Sequence, residues 1–341
     1  SYTSLSLVEQ DITKKHKICV VGASGLVGSS IIRCALENGY SVNGTIRNKK
    51  ANKVKYLKAL PNSNNLTLFS ADMQNTESFL DPLNDVDVVF IACLIPTYKG
   101  KDGTLAKEMD YSTGYREIIM PTVTGCLNIL KAAKIKNLKN VVICSSTSST
   151  NPVPPVAIKN EVEHWSDEEE QCKAKKYTSA TKTVMEKAAI NFCELNKIRL
   201  SIIMPTGIYG DPVLPEHMQH NPYAWLKKLI DGGAARHDMI PNDSISMIHV
   251  RDLANLFLAA YENREASGRY YGVYDSIHWQ DIYKECKNLI VKMKMPEPLD
   301  VEPIEPTGFD FTRRDSLKVN IRNFKTMLKE TIEWIKLNSD S

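Results

Sequence analysis

Apolar and polar residues fall in blocks whose period switches from strand to helix and back. Ile18 to Val21 is a short apolar run, and the turn Gly22-Ala-Ser-Gly25-Leu-Val-Gly28 follows it. Leu26, Val27, Ile31, Ile32, Ala35 and Leu36 then recur at helical spacing until Asn38-Gly39 ends the pattern. Ser41 to Ile46 predicts a second strand, Lys53 to Leu60 a basic helix, Leu66 to Ser70 a third strand and Val86 to Ile91 a fourth. Pro121 to Ala133 reads as a helix and Val141 to Ser145 as a fifth strand. After a polar stretch from 151 to 176, Thr178 to Leu195 reads as a long helix and Leu200 to Met204 as a sixth strand. Alternating strands and helices with short connections predict an α/β chain with a doubly wound parallel sheet, which binds ligands at the carboxyl ends of its strands.

The rhythm changes after Pro205. Residues 211 to 245 mix Pro, Gly, His and Asn around a short helical pattern from Trp225 to Ile230, which reads as an irregular loop or lid. Ser244 to Tyr261 returns to strand then helix, and the chain closes on a helix around Ile321 to Leu337. The expected organisation is a polar tail over 1–16 and a nucleotide-binding domain over 17–205, to which 246–265 returns. A smaller substrate lobe is expected from 206–245 and 266–341.

Composition narrows the function classes. A net charge of +3, with basic residues spread along the chain, lacks the stripe that nucleic-acid binding needs. The apolar runs are far shorter than the ~20 residues that span a bilayer, and no signal-peptide core is visible, so no membrane partner and a cytoplasmic location are expected. The 8 cysteines form no C-x-x-C pair and the 7 histidines lack ligand spacing, so reduced thiols and no metal are expected.

The glycine turn carries the first chemistry. Gly22 permits the tight turn, Gly25 close approach of the backbone to a pyrophosphate, and Gly28 close packing of helix on strand. Gly22, Ser24, Gly25, Leu26 and Val27 are therefore candidate cofactor contacts on a Rossmann-type frame. A second strand that served NAD would end in a carboxylate for the ribose 2′-hydroxyl, yet this one ends Gly44-Thr-Ile-Arg47-Asn-Lys-Lys50. A guanidinium forks onto a 2′-phosphate instead, which points to NADP(H) with Arg47 as its anchor. Asp72, after the third strand, suits either the adenine amino group or a turn cap. At the end of the fifth strand, Cys144-Ser-Ser146-Thr-Ser-Ser-Thr150 offers hydroxyls to a ligand cleft, and also reads as an ordinary loop.

Tyr177-Thr-Ser-Ala-Thr-Lys182 opens the long helix. Taken with Val21-Gly-Ala-Ser-Gly-Leu-Val-Gly28, Arg47, Ser70-Ala-Asp-Met73, Pro121-Thr-Val-Thr-Gly-Cys-Leu-Asn-Ile-Leu130, Pro205-Thr-Gly-Ile-Tyr-Gly210 and Ile248-His-Val-Arg-Asp-Leu253, it resembles the extended short-chain dehydrogenases/reductases. Within them it is similar to the branch of dihydroflavonol and cinnamoyl-CoA reductases, over Lys17 to about Ile290. The resemblance implies a Ser-Tyr-Lys mechanism with Ser146 holding the substrate oxygen, Lys182 on the nicotinamide ribose, and a tyrosine giving the proton. It also implies that Ile91, Ala92 and Cys93 line the nicotinamide, Met73 the adenine, and Pro205, Thr206 and Ile208 the carboxamide, with Lys53 the nearest substitute for the family's second phosphate lysine. Asp252 is assigned to structure.

One spacing departs from the family's Tyr-x-x-x-Lys: counting back four from Lys182 gives Thr178, and Tyr177 is five away. Residues four apart on an α-helix differ by about 40° in azimuth, and residues five apart by about 140°. Either a bulge or a late helix start returns the phenol of Tyr177 to the site, which is the expectation adopted, or Thr178 holds the position. The expected function is an NADPH-dependent reductase acting on a ketone or aldehyde of a medium-sized, partly apolar substrate between Ser146 and the lobe bearing Tyr209, Tyr223 and Trp225, as monomer or homodimer. The alternatives are an NADP(H)-binding sensor or scaffold with impaired catalysis, and a sugar-nucleotide epimerase or dehydratase on the same frame.

Overall fold

The computed structural model describes residues 17–339, so the polar tail over 1–16 lies outside the described residues. Seven parallel strands form the main sheet. In chain order they are β1 (Lys17–Val21), β2 (Ser41–Ile46), β3 (Leu66–Ser70), β4 (Val88–Ile91), β5 (Asn140–Cys144), β7 (Arg199–Pro205) and β10 (Gly268–Gly272), with β6 (Ile158–Lys159), β8 (Gly207–Tyr209) and β9 (Ser244–His249) outside it. Across the sheet the order is β10-β7-β5-β4-β1-β2-β3. Strand order reverses between β1 and β4, which opens a crevice beyond their carboxyl ends. The central strands are buried on both faces, as parallel strands covered by helices must be.

Helix α1 (Leu26–Glu37) covers one face. It ends where Gly39 adopts φ +83°, a left-handed conformation that glycine takes without a Cβ penalty. A short helix α2 (Val54–Lys58) follows β2. The other face carries the 25-residue helix α3 (Tyr111–Ile135) and, after the short α4 (Glu168–Lys173), the helix α5 (Tyr177–Leu195). By length and composition α3 is apolar enough to cross a membrane, yet it is mostly buried in this fold. Its residues Ile118, Ile119, Val123, Cys126, Ile129 and Leu130 sit in the core beneath the sheet. Residues Tyr115–Ile119 of α3 widen into a π-turn. Pro121, two positions on, has no N–H and its ring crowds the carbonyl four residues back, and the wider turn accommodates both.

The smaller lobe is built on β8 and β9 with β11 (Asp275–His278), and on helices α6 (Tyr223–Ile230), α8 (Trp279–Leu289) and, past the short α9 (Thr312–Ser316), α10 (Phe324–Asn338). The helix α7 (Val250–Glu262) packs on α1 of the large domain. Two boundaries differ from the expected ones. Strand β10, in the segment assigned to the lobe, pairs with β7 and completes the large sheet. Strand β9, at the start of the returning segment, pairs with β8 and β11 in the lobe. The Gly268-Arg-Tyr-Tyr-Gly run has two glycines and an arginine, so its apolar signal is too weak to mark it as a sheet strand.

Candidate active site

The glycine turn is shaped by contacts that tolerate no side chain. Gly22 has φ +93°, and a Cβ there would lie 2.9 Å from the Cys93 backbone; a Cβ on Gly28 would lie 1.9 Å from the Gly22 carbonyl oxygen. Ala23 N–H donates to the Thr45 carbonyl at 2.8 Å, which ties the turn to β2. Helix α1 begins at Leu26 behind Gly25, with no side-chain cap and no acid in its first turn. The N–H groups of Leu26 and Val27 therefore open toward the crevice without a competing carboxylate, the donor set and dipole that a pyrophosphate needs. Ser24, Gly25, Leu26 and Val27 are half-buried along this cradle. A dinucleotide fits it.

Arg47 leaves the end of β2 exposed. Lys53 stands half-buried just before α2. Asp72 has the turn role: Oδ1 accepts the Gln74 N–H at 2.9 Å, and its own N–H donates to Ser78 Oγ at 3.0 Å. Met73 leans on Gly125 of α3, where a Cβ would lie 2.8 Å from its terminal methyl, and its carbonyl accepts from Asn128 at 3.0 Å. Ile91 is buried at the end of β4, with Ala92 and Cys93 partly open beyond it, and Ala92 N–H donates to Val21 O at 2.9 Å. Pro205 closes β7, and Thr206 and Ile208 are half-buried at the entry to β8.

The helix register decides which side chains share a face with Lys182. Lys182 is buried, and Nζ donates to the Leu94 carbonyl just past β4. One turn earlier Thr178 Oγ1 donates to the Thr97 carbonyl at 2.6 Å. Both residues thus meet the segment that continues β4. Tyr177 points elsewhere: its hydroxyl donates to the Met109 carbonyl at 3.1 Å, and its ring fills a slot at Gly114 of α3, where a Cβ would lie 2.5–2.6 Å from ring atoms. Burial pushes this phenol above the ordinary tyrosine value, helped by the titratable groups Cys172, Asp110 and Tyr111. The expected return of Tyr177 to the lysine's face does not occur. Helix α5 starts at Tyr177 itself and runs regularly, so no bulge compensates for the extra residue.

Lys182 lies near Cys144 at the end of β5 and Cys93 just past β4. Burial lowers its pKa, opposed by Cys144, Cys93 and Glu186. Burial also raises the two thiols, to about 11 for Cys144 and about 12 for Cys93, so both stay protonated at neutral pH. Ser146 follows β5 and starts a 3-10 turn, with Oγ accepting the Ser148 N–H at 3.2 Å. Its neighbour Ser145 turns inward and donates to Glu186 Oε2 at 2.6 Å.

That inward contact belongs to a buried network that the sequence did not reveal. Glu186, one turn past Lys182, pairs through Oε1 with Arg269 Nε at 2.8 Å, and both side chains are almost wholly buried. Arg269 also donates to Ser149 O and Oγ at 3.1 and 2.9 Å and stacks its guanidinium 3.6 Å from the Trp165 ring centroid. Ser149 in turn donates to the Ser146 carbonyl at 3.1 Å. The loop carrying Ser146 and the helix carrying Lys182 are thereby held to one ion pair, which removal of either partner would leave as a buried charge. Arg269 lies on the strand the sequence did not mark, and a single buried Glu in an amphipathic helix gives no periodic signal.

Tyr209, Tyr223 and Trp225, expected to face the substrate, are the core of the lobe with Trp279, Tyr283 and Met327. Asp252 is buried and accepts the Arg322 N–H at 2.7 Å, tying α7 to the chain before α10. Among the described residues no group of three or more His, Cys, Asp or Glu could hold a metal ion.

Known proteins resemble this chain in sequence and fold. A dihydroflavonol 4-reductase of Callistephus chinensis is 32% identical over 263 residues, covering 74% of this chain and 67% of its own length. The cinnamoyl-CoA reductase CAD2 of Medicago truncatula is 29% identical over 329 residues, 94% of this chain and 95% of its own. The crystal structure of yeast methylglyoxal/isovaleraldehyde reductase complexed with NADPH superposes with a TM-score of 0.75 at 21% identity, covering 95% of this chain and all of that one. The family model "NAD dependent epimerase/dehydratase family" matches residues 18–273, and the chain belongs to that family of extended short-chain dehydrogenases/reductases, in the likeness of its dihydroflavonol and cinnamoyl-CoA reductases.

Proposed function

We propose that this chain is an NADPH-dependent reductase that delivers hydride to the carbonyl carbon of a medium-sized, partly apolar ketone or aldehyde. The observation that carries the proposal is Lys182, held at the carboxyl ends of β4 and β5 beside the dinucleotide cradle. The cofactor supplies the hydride; the protein must orient the carbonyl and supply a proton. Ser146 Oγ is the hydroxyl for the substrate oxygen. Thr178 stands where the family has its tyrosine, and an aliphatic hydroxyl is a much weaker acid than a phenol. The proton that completes the alcohol therefore comes from the Lys182 ammonium, whose burial already favours its neutral amine, with Thr178 Oγ1 bridging to the alkoxide. Solvent then restores the ammonium. Ile95 and Tyr98, on the segment that meets Thr178 and Lys182, and Val153, after the Ser146 turn, are exposed apolar side chains and suit a partly apolar substrate.

The named reductases among the relatives and the absence of a carboxylate at the end of β2 weigh against an epimerase. The test is NADPH oxidation with a panel of aromatic and aliphatic aldehydes and ketones. Turnover of at least one carbonyl is expected, and tight NADPH binding without any turnover would refute the proposal. Thr178 itself favours a second reading, an NADP(H)-binding sensor whose catalysis is impaired. In that case wild type stays silent with the panel and Thr178→Tyr gains turnover.

A further inference from the structure

The chain that leaves β8 crosses back over the glycine turn. Arg33 of α1 donates to the Asp211 carbonyl at 2.8 Å, and Val213 and Leu214 pack into the apolar cluster that holds Ala23 and Val27. A 3-10 turn at Pro215–Gln219 follows and buries His217 to 4% exposure. The imidazole is hydrogen-bonded to the backbone of Ser24 in the glycine turn, Lys53 ahead of α2 acts on it through its charge, and His220 follows in its own segment, with the two histidine rings 5.9 Å apart.

Nδ1 of His217 is buried and has no hydrogen-bond partner. Leaving a polar group in that state costs about 1–3 kcal/mol, a cost that an apolar residue would avoid. Burial, together with His220 and Lys53, lowers the pKa of His217 to about 4 against the hydrogen bond to the Ser24 backbone, which raises it, so the ring is neutral at pH 7. Its place explains the choice of residue. The N–H groups of α1 suit the pyrophosphate, whereas Arg47 and Lys53 stand on the β2 side, where the adenosine ribose runs in such folds. A side chain hydrogen-bonded to Ser24 and within electrostatic reach of Lys53 lies between these two regions. A half-turn of the ring about Cβ–Cγ, a soft torsion, redirects Nδ1 without moving the backbone.

We propose that His217 is a further ligand of the adenosine 2′-phosphate of NADP(H), carried over the glycine turn from the lobe side to act with Arg47 and Lys53 in distinguishing NADP(H) from NAD(H). The inference rests on the chain binding NADP(H). The phosphate dianion reverses the local field that Lys53 and His220 create. The His217 pKa then rises on binding, and the ring becomes a charged donor as pH falls toward the bound value.

The test is binding, measured by calorimetry on wild type and His217→Gln with NADP+ and NAD+, alongside NMR titration of the histidine ring resonances in wild type. His217→Gln is expected to weaken NADP+ by about tenfold at pH 6, the loss of about one charge-assisted hydrogen bond, with NAD+ affinity within about twofold. In wild type the histidine that titrates near 4 is expected to move up with NADP+ and to stay with NAD+. Equal losses for both cofactors, unchanged NADP+ affinity, or a ring pKa indifferent to NADP+ would each overturn the inference. If His217→Gln does not fold, the wild-type titration decides alone. Failure of wild type to bind NADP+ would instead strike the cofactor assignment itself, and the two failures are therefore distinct.

Discussion

Replacing Tyr177 by Phe separates a structural tyrosine from a catalytic one. The substitution removes only the hydroxyl, which donates to the Met109 carbonyl at 3.1 Å inside the protein. The ring that fills the Gly114 slot stays. What is lost is one buried hydrogen bond, and what is left behind is an unsatisfied carbonyl, together about 1–3 kcal/mol. For a chain of 341 residues that is a fall in Tm of a few degrees, at roughly 2 °C per kcal/mol. Since the phenol faces Met109, at the far end of the segment after β4, and not Lys182 or its partners Leu94 and Thr97, kcat with any carbonyl that is turned over is expected to stay within about twofold of wild type. Thr178→Val, by contrast, deletes the hydroxyl on the lysine's face and is expected to lower kcat by about a hundredfold, the lower end of what acid–base groups contribute. Both variants need only thermal melts and steady-state NADPH oxidation. A hundredfold or greater loss of kcat in Tyr177→Phe with an unshifted Tm would refute this register of α5, because it would mean the phenol reaches the reacting oxygen.

Other parts of the molecule make their own predictions. Gly28→Ala puts a methyl 1.9 Å from the Gly22 carbonyl oxygen, so it should cost more than the ~1–3 kcal/mol of ordinary overpacking and abolish NADPH binding by calorimetry. Arg47→Ala is expected to weaken NADPH about 10- to 100-fold while leaving NADH nearly unchanged, as the loss of one charge-assisted contact to a 2′-phosphate requires; equal losses for both would remove Arg47 from that role. Glu161 is buried and accepts the Tyr271 N–H at 3.2 Å, and burial raises its pKa from 4.5 to about 7. Below pH 4.5 folded and unfolded chains are both protonated there; between 4.5 and about 7 only the unfolded chain ionises, so stability is lost as pH rises through that window. Glu161→Gln, which cannot ionise, should melt with wild type near pH 4.5 and above it at pH 8, and coincident melts at both would contradict the shift.

The legible part of the sequence was that governed by periodicity and by glycine. Six of the seven sheet strands are legible as short segments of four to seven residues; β1, β4 and β5 are mainly apolar because a central parallel strand is buried on both faces, and β2, β3 and β7 are legible although polar residues interrupt them. The seventh, β10, sits at the edge with Arg269 on it, and its arginine is buried only because Glu186, from a helix 83 residues earlier, meets it. Neither residue alone predicts that pair. The same reason hides His217: its burial depends on a 3-10 turn folding over Ser24, a contact between positions far apart in the chain. Tyr209, Tyr223 and Trp225 were misdirected because an aromatic side chain reads alike in a substrate wall and in a lobe core, and only the packing with Trp279 and Tyr283 tells them apart.

The register of α5 is the hardest case, since Tyr177 and Thr178 are both plain in the sequence and helical spacing alone sets Thr178 on the face of Lys182. Two forces compete at the helix start. A bulge that returned the phenol to Lys182 would forfeit a regular backbone hydrogen bond and empty the slot at Gly114. Regular helix from Tyr177 keeps the bond from Thr181 Oγ1 to the Tyr177 carbonyl at 2.8 Å, fills the slot, and gives the phenol a partner in Met109. The slot itself exists because Gly114 lies next to the π-turn before Pro121, so the position of the tyrosine is fixed by α3 as much as by α5. The cofactor cradle shares none of these contacts. Binding of the dinucleotide and placement of the proton donor are therefore separable properties of this fold, and a one-residue change at the head of α5 alters the second while leaving the first intact.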